Sequence, residues 1–447
     1  MSLFDKKRLD NETFKLDVER MRRGWYTDKY FFNIATMLEQ LAAEGYTYRG
    51  EYNRLPQGVS PDGIPSGDLE VEMQWFTRRP GHTIVVGVDK ALSMLRQCTG
   101  YFDGDTFVDT SANLQVWAVQ DGCKVHYNGN PDHIQPVLRV RGRYRDFAML
   151  ETPTLGILTR ASRVATNVYN TLIAANGKPL LFFPARFDLH EVQAADGYAY
   201  NIAIQRINLD YAEELGPFIS TDAQGDWWGG AGGGTVAHAA IASFMGDTSQ
   251  AMLAFARILP ASVPRIALVD FNNDCVTDSI AVAKSMFAEY KRLLEAGQDT
   301  EAQRYKLYGV RLDTSNALRD VSVPPLGDPE LDLGVTPRLV FLVRQGLDQA
   351  WQNWDLSPDW CEIARNFCRE VKIVVSGGFN PEKITRFEKL HVPADIYAVG
   401  SSLFDNHGPT VNDYTADVVR VKVHDEWVDL SKVGRKACEN PDLERVW

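Results

Sequence analysis

From about residue 151 onward the apolar positions gather into short unbroken runs separated by longer amphipathic stretches. The runs lie at 179–185 (PLLFFPA), 265–270, 307–312, 372–376 and 395–399, and a further short one at 234–236. Their length and their β-branched and aromatic content predict strands buried on both faces. Between them, apolar residues recur at helical spacing over 153–175, 279–296, 337–354 and 381–390, with a proline at the start of three of these stretches. Strand and helix in alternation imply parallel βαβ units, which right-handed crossovers close into a barrel or a doubly wound sheet. The residues that end the runs favour the barrel. Arg186, His238, Asp270, Arg311 with Asp313, Ser376 and Gly400 follow successive runs in order, and a barrel collects the C-terminal ends of its strands at one mouth.

The first 150 residues have a different pattern. A helical stretch at 29–44 precedes a Gly/Pro-rich segment at 54–68, and β-branched strands are expected at 83–88, 113–119 and 135–140, punctuated by turn residues at 121 and 128–132. The expected fold is therefore α/β: an irregular TIM-like α/β barrel over 151–405, preceded by an N-terminal α+β domain over 1–150.

Composition agrees with two domains, since 447 residues with 45% hydrophobic content can bury more than one core. The 47 basic and 59 acidic side chains leave a net charge of −12 with no extended Lys/Arg cluster, which excludes a nucleic-acid surface as the main function. A small anionic substrate is still compatible, because a pocket can be locally basic. The N-terminus lacks the apolar core of a secretory signal, and the longest apolar stretches fall far short of the roughly 18 residues of a spanning helix. No membrane partner is expected. Six cysteines without a CxxC or zinc spacing suit a reduced, cytoplasmic protein.

Candidate chemistry sits at the ends of the strands. VVSGGFNPEKI (374–384) carries Ser376, Gly377 and Gly378 between a strand and a helix, and AVGSSL (398–403) carries Gly400 and Ser401 after the next strand. Glycine turns often serve only as punctuation, but two of them on adjacent parallel strands fit a phosphate site. In GVRLDTSN, Arg311 and Asp313 stand two residues apart, so they share one strand face. They suit phosphate and ribose or Mg²⁺ chemistry, or an internal ion pair. Asp270 ends its run in the same way, whereas Asp274 reads better as a helix cap. GDWWGGAGGGTVAH (225–238) has six glycines in its first ten residues and reads as a mobile loop at a cleft leading to His238, an acid, base or phosphoryl acceptor. Asp28 and Tyr30 precede a helix, and Phe183 and Arg186 end the first barrel strand. Either aromatic suits a flat ring or ordinary core packing.

The segments TDKY (27–30), ETPTLGIL (151–158), FPAR (183–186), GTVAH (234–238), GVRLDTS (309–315) and SGGFNPEKITRFEKLHVPADIYAVGSSL (376–403) resemble nicotinate phosphoribosyltransferase, with nicotinamide phosphoribosyltransferase as the nearest relative. The resemblance implies a type II phosphoribosyltransferase fold in which residues 406–447 complete the N-terminal domain. It implies transfer of phosphoribose from phosphoribosyl pyrophosphate to nicotinate in NAD biosynthesis, with Mg²⁺, and with ATP as co-substrate through a transiently phosphorylated His238. By position, Tyr30 and Phe183 would stack the base, Asp28 and Thr235 would join the base site, and Arg186 would hold the base carboxylate or the diphosphate. Asp270, Arg311 and Asp313 would handle the diphosphate and Mg²⁺, and Ser376, Gly377, Gly378, Gly400 and Ser401 would cradle the 5′-phosphate. A homodimer would supply Tyr30 across the subunit boundary. Many relatives carry two consecutive arginines after the first barrel strand, and this chain has Arg186 followed by Phe187. Alternatives kept open are a transferase for nicotinamide or another aromatic base and an inactive nucleotide-binding barrel. Quinolinate phosphoribosyltransferase fits less well, because its chains are shorter and its pocket more basic.

Overall fold

A computed structural model describes residues 4–447. Two six-stranded sheets organise it. The first is antiparallel, in the order Glu426–Asp429, Tyr414–Val423, Glu70–Thr77, Leu138–Arg143, Gln115–Ala118, Glu444–Arg445. Three of its strands come from the last 34 residues of the chain, so the C-terminus completes the N-terminal sheet. Strict alternation in Leu138–Arg143 buries Leu138, Val140 and Gly142 and turns three arginines the other way. On that polar face the fully buried Glu72 carboxylate is ion-paired with Arg139, Arg141 and Arg420, a cluster that removes the cost of an isolated buried charge. Helix Val88–Cys98 packs in the core of this domain through Val88, Ala91, Leu92 and Leu95.

The second sheet is parallel, in the order Ile266–Leu268, Gly309–Leu312, Lys372–Val375, Ile396–Val399, Leu180–Phe182, Phe218–Ile219. Leu181, Ile266, Val374, Ile396 and Ala398 form one small core with Phe183 and Phe218. Residues of the opposite face, among them Leu180, Phe182, Val310, Leu312, Ile373, Val375 and Val399, pack into the large core with the helices. Helix Glu151–Ala175 serves both domains: Leu155 and Leu158 enter the N-terminal core, whereas Ala161, Val164, Val168 and Leu172 enter the barrel core.

The strand expected at 234–236 does not form. No pairing joins Phe218–Ile219 to Ile266–Leu268, so the sheet is open there. Residues 231–237 run without regular structure, with the Gly233 N–H donating to the Ile219 carbonyl at 2.8 Å. A segment that opens on consecutive glycines brings no side chains to a core and loses more backbone entropy on pairing. Among the described residues no helix is long and apolar enough to cross a membrane.

Candidate functional site

Strand register gathers the chemistry at one mouth. Arg311 lies opposite Leu268 on one neighbouring strand and Val374 on the other. Its guanidinium is largely buried, 5.9 Å from the Phe183 ring, and donates weakly to the Thr235 hydroxyl at 3.5 Å and to the Val236 carbonyl at 3.4 Å. Its Nε has no hydrogen-bond partner. Burial holds its pKa below the usual arginine value, opposed by Asp313 and Asp270 and reinforced by Arg186. A buried cation with long contacts and an orphaned donor has capacity left for an anion.

Asp313 stands just past the end of the Arg311 strand, and its carboxylate lies 2.9 Å from the Ser376 hydroxyl. Asp270 follows the strand Ile266–Leu268 and pairs with His238 Nε2 at 3.1 Å. The histidine is the exposed member, 48% against 9% for the aspartate. Burial raises the Asp270 pKa, the His238 bond opposes that, and Asp313 adds to the rise.

The two glycine turns meet here. Gly377 and Gly378 have φ of +84° and +72°, the left-handed region that favours glycine, and a Cβ on Gly378 would lie 2.8 Å from Asn316 Nδ2. Gly400 is small for another reason: its Cβ would meet the Phe187 ring at 2.6 Å. Asn380 then caps helix Pro381–Lys389, accepting the Lys383 N–H at 2.8 Å, and Ser401–Phe404 starts a turn of 3₁₀-helix. The Ser402 hydroxyl donates to the Phe379 carbonyl at 2.9 Å and ties one turn to the other.

A cavity of about 470 Å³ opens at this mouth, lined by Phe183, Arg186, Thr235, His238, Arg311, Asp313, Ser376, Gly377, Gly378, Gly400 and Ser401. Asp270 reaches it through His238. Asp28 and Tyr30 do not line it. Asp28 exchanges hydrogen bonds with Thr152, at 2.9 and 3.1 Å, and Tyr30 packs 4.2 Å from Phe31 while 58% of it is exposed. The expected mobile Gly/Trp loop is corrected in its first half. Trp227 is buried, edge-on to Phe14 at 5.0 Å, and the Trp228 indole donates to the Gln224 carbonyl at 2.8 Å. Two indoles that find a core and a carbonyl partner anchor the corner, and only Gly233–His238 borders the cavity.

Sequence reading passed over Phe187 and Phe379, which line the cavity, and Lys383, whose Nζ sits 3.4 Å from the Gly377 carbonyl. Phe187 lies under the Arg186 guanidinium at 5.3 Å. The signal was adjacency: Phe187 follows Arg186, and the other two lie inside SGGFNPEK. Among the described residues no group of three or more His, Cys, Asp or Glu side chains is arranged to hold a metal ion unaided. Asp313 and Asp270 offer hard oxygen donors, a set that suits Mg²⁺ arriving with a diphosphate that fills the rest of its shell.

Residues 62–162 match the family model of the quinolinate phosphoribosyl transferase N-terminal domain. The whole chain resembles two solved structures. Nicotinate-nucleotide pyrophosphorylase from Pyrococcus furiosus shares 22% identity at a TM-score of 0.63, over 94% of this chain and 80% of that one. Human nicotinic acid phosphoribosyltransferase shares 17% at 0.55, over 88% and 74%. The half-barrel parallel sheet, the antiparallel domain before it and these two likenesses agree, and the chain has the fold of these two structures, the type II phosphoribosyltransferase fold.

Proposed function

We propose that the protein transfers the phosphoribosyl group of phosphoribosyl pyrophosphate to nicotinate, forming nicotinate mononucleotide and pyrophosphate in NAD biosynthesis. One observation carries this reading: a single cavity holds two glycine turns, the Arg311/Asp313 pair and Arg186 flanked by aromatic rings. In the reaction the C1′–oxygen bond to the diphosphate breaks and a bond from the pyridine nitrogen to C1′ forms. The nitrogen lone pair carries no proton, so the site needs to orient the ring more than to deprotonate it. Phe183 and Phe187 present flat faces for that purpose, and Arg186 offers a fork to the ring carboxylate. Thr235 shares the Arg311 end of the site. Arg311 meets the charge that develops on the leaving diphosphate. Mg²⁺ brought with the diphosphate, on Asp313 and Asp270, would neutralise more of it. Ser376, Gly377, Gly378, Gly400 and Ser401 take the 5′-phosphate on backbone amides and hydroxyls.

ATP coupling enters through His238. Asp270 takes the Nε2 hydrogen, which leaves the Nδ1 lone pair to attack the γ-phosphorus of ATP as the bond to ADP breaks. A phosphoryl group there sets negative charge at the cavity edge and changes how the diphosphate is held. Asp28 and Tyr30 lie outside their own chain's cavity, and with Trp25 and Tyr26 they give the N-terminal domain an exposed aromatic surface. A homodimer in which the partner subunit's Tyr30 covers the base fits that surface.

Quinolinate is the second reading, favoured by the family match over 62–162. Against it, Arg186 beside Phe187 and Arg311 beside Phe183 are the cations at these rings among the described residues, and with Arg311 given to the diphosphate Arg186 alone would face two ring carboxylates. Turnover with nicotinate, nicotinamide and quinolinate in parallel, each with and without ATP, tests the proposal. Product from nicotinate, enhanced by ATP, is expected. Product from quinolinate alone would transfer the assignment to the second reading, and phosphoribosyl pyrophosphate binding without product from any base would leave a binding protein.

A further inference from the structure

Lys383 is the third residue of helix Pro381–Lys389, at the end of the helix where the backbone dipole disfavours a cation. Its side chain turns back over the preceding turn, with Nζ 3.4 Å from the Gly377 carbonyl and 4.3 Å from the centre of the Phe379 ring. Both Gly377 and Phe379 border the cavity. Among the described residues no carboxylate pairs with this ammonium. The nearby charge is Arg386, one turn further on, which is directed to Glu330 at 3.6 Å. Burial, and then Arg386, bring the Lys383 pKa down to about 8. Helix dipole, burial and a like charge all oppose a cation here, yet the amine lies against a glycine turn whose amides suit an anion. One carbonyl contact and one aromatic face do not balance those costs, whereas a phosphate would. A lysine folded back over a glycine-rich turn at a helix start is also the arrangement by which nucleotide-binding loops reach phosphate.

We propose that Lys383 binds the 5′-phosphate of the phosphoribosyl substrate, adding an ammonium to the backbone amides of the Gly377–Gly378 turn. This rests on the phosphoribosyl reading of the cavity. The unbranched side chain passes by rotation from the Gly377 carbonyl to an anion on the turn. The division of labour that follows is specific: Lys383 acts on the 5′-phosphate and Arg311 on the diphosphate.

Calorimetric titration of the full chain with ribose 5-phosphate and, separately, with pyrophosphate tests it, on wild type, K383Q and K383R. K383Q should bind ribose 5-phosphate about 10-fold or more weakly and pyrophosphate within about twofold of wild type, and K383R should recover most of the loss. In turnover, KM for phosphoribosyl pyrophosphate should rise in K383Q while KM for the base holds. Ribose 5-phosphate affinity within twofold of wild type in K383Q would overturn the proposal. Equal weakening of both ligands with a lowered melting temperature would overturn it too, by making Lys383 a structural residue. If wild type bound neither ribose 5-phosphate nor phosphoribosyl pyrophosphate, the phosphoribosyl reading itself would fail, and this inference with it.

Discussion

Replacing Arg311 by Met separates what this side chain does for the fold from what it does for a ligand. In the protein the guanidinium has two contacts at 3.4 and 3.5 Å, both at the weak limit of hydrogen bonding, and an unpartnered Nε. Burial already depresses its pKa, so its charged form is under-solvated. Methionine has similar length and no charge to desolvate, which offsets the lost attraction to Asp313 and Asp270. The net stability change is expected to stay within about 1 kcal/mol, or ~1 °C in melting temperature for a chain of this size. Binding behaves differently. Losing hydrogen bonds from a charged donor to a diphosphate costs about 1.5–3 kcal/mol, which is ~10- to 150-fold in dissociation constant. Calorimetry with phosphoribosyl pyrophosphate and with pyrophosphate, beside a thermal melt, reads both quantities. Ribose 5-phosphate should bind R311M nearly as it binds wild type. Unchanged pyrophosphate affinity, or a melting temperature lowered by 10 °C or more, would show that Arg311 is an internal ion-pair partner and refute the reasoning.

Other expectations follow from the same geometry. H238A should lower nicotinate-dependent ATP hydrolysis by at least about 100-fold while base and phosphoribosyl pyrophosphate still react slowly without ATP; unchanged hydrolysis in a coupled assay would remove His238 from that role. G378A forces a Cβ into left-handed backbone at φ +72° and to 2.8 Å from Asn316, so it should lose about 1–2 kcal/mol of stability in denaturant titration and raise KM for phosphoribosyl pyrophosphate. Glu151 is buried beside Asp417 and Asp28, which pushes its pKa up to about 8 from 4.5. Its folded state therefore favours the protonated form, and the stability this provides is full below pH about 4.5 and lost as pH rises through about 8. E151Q, fixed in the neutral form, should melt ~2–6 °C above wild type at pH 9 and about equal to it at pH 4.5.

The barrel strands were legible because both of their faces are buried, so each reads as a continuous apolar run ended by a polar residue. Arg311 and Asp313 could be placed on one face from the two-residue period alone. GTVAH resembled another strand, but the glycines before it bring nothing to a core, and the segment passes the open edge as a loop. Strand Glu70–Thr77 shows its alternation in the sequence, but not its partners: the arginines that satisfy its buried Glu72 are 67, 69 and 348 residues away. Its neighbour Tyr414–Val423 alternates visibly, but nothing local says that its partner lies at the other end of the chain. The same holds within the site. The His238–Asp270 bond spans 32 residues, and the contact of Lys383 with Gly377 depends on how the helix start folds over its own turn. Tyr30 marks another limit, since a residue proposed to serve a second copy of the chain leaves no trace in its own chain's cavity.

The central claim is that one cavity at the strand ends holds a phosphoribosyl group at its glycine turns and a pyridine carboxylate at Arg186. The most direct measurement is a crystal structure with nicotinate mononucleotide bound. The expected density places the phosphate on the Gly377–Gly378 and Gly400–Ser401 amides, with the ring beside Phe183 and its carboxylate on the Arg186 guanidinium. Nucleotide density elsewhere, for instance in the groove lined by Gln250, Arg257 and Arg292, with the strand-end cavity holding only solvent, would contradict it.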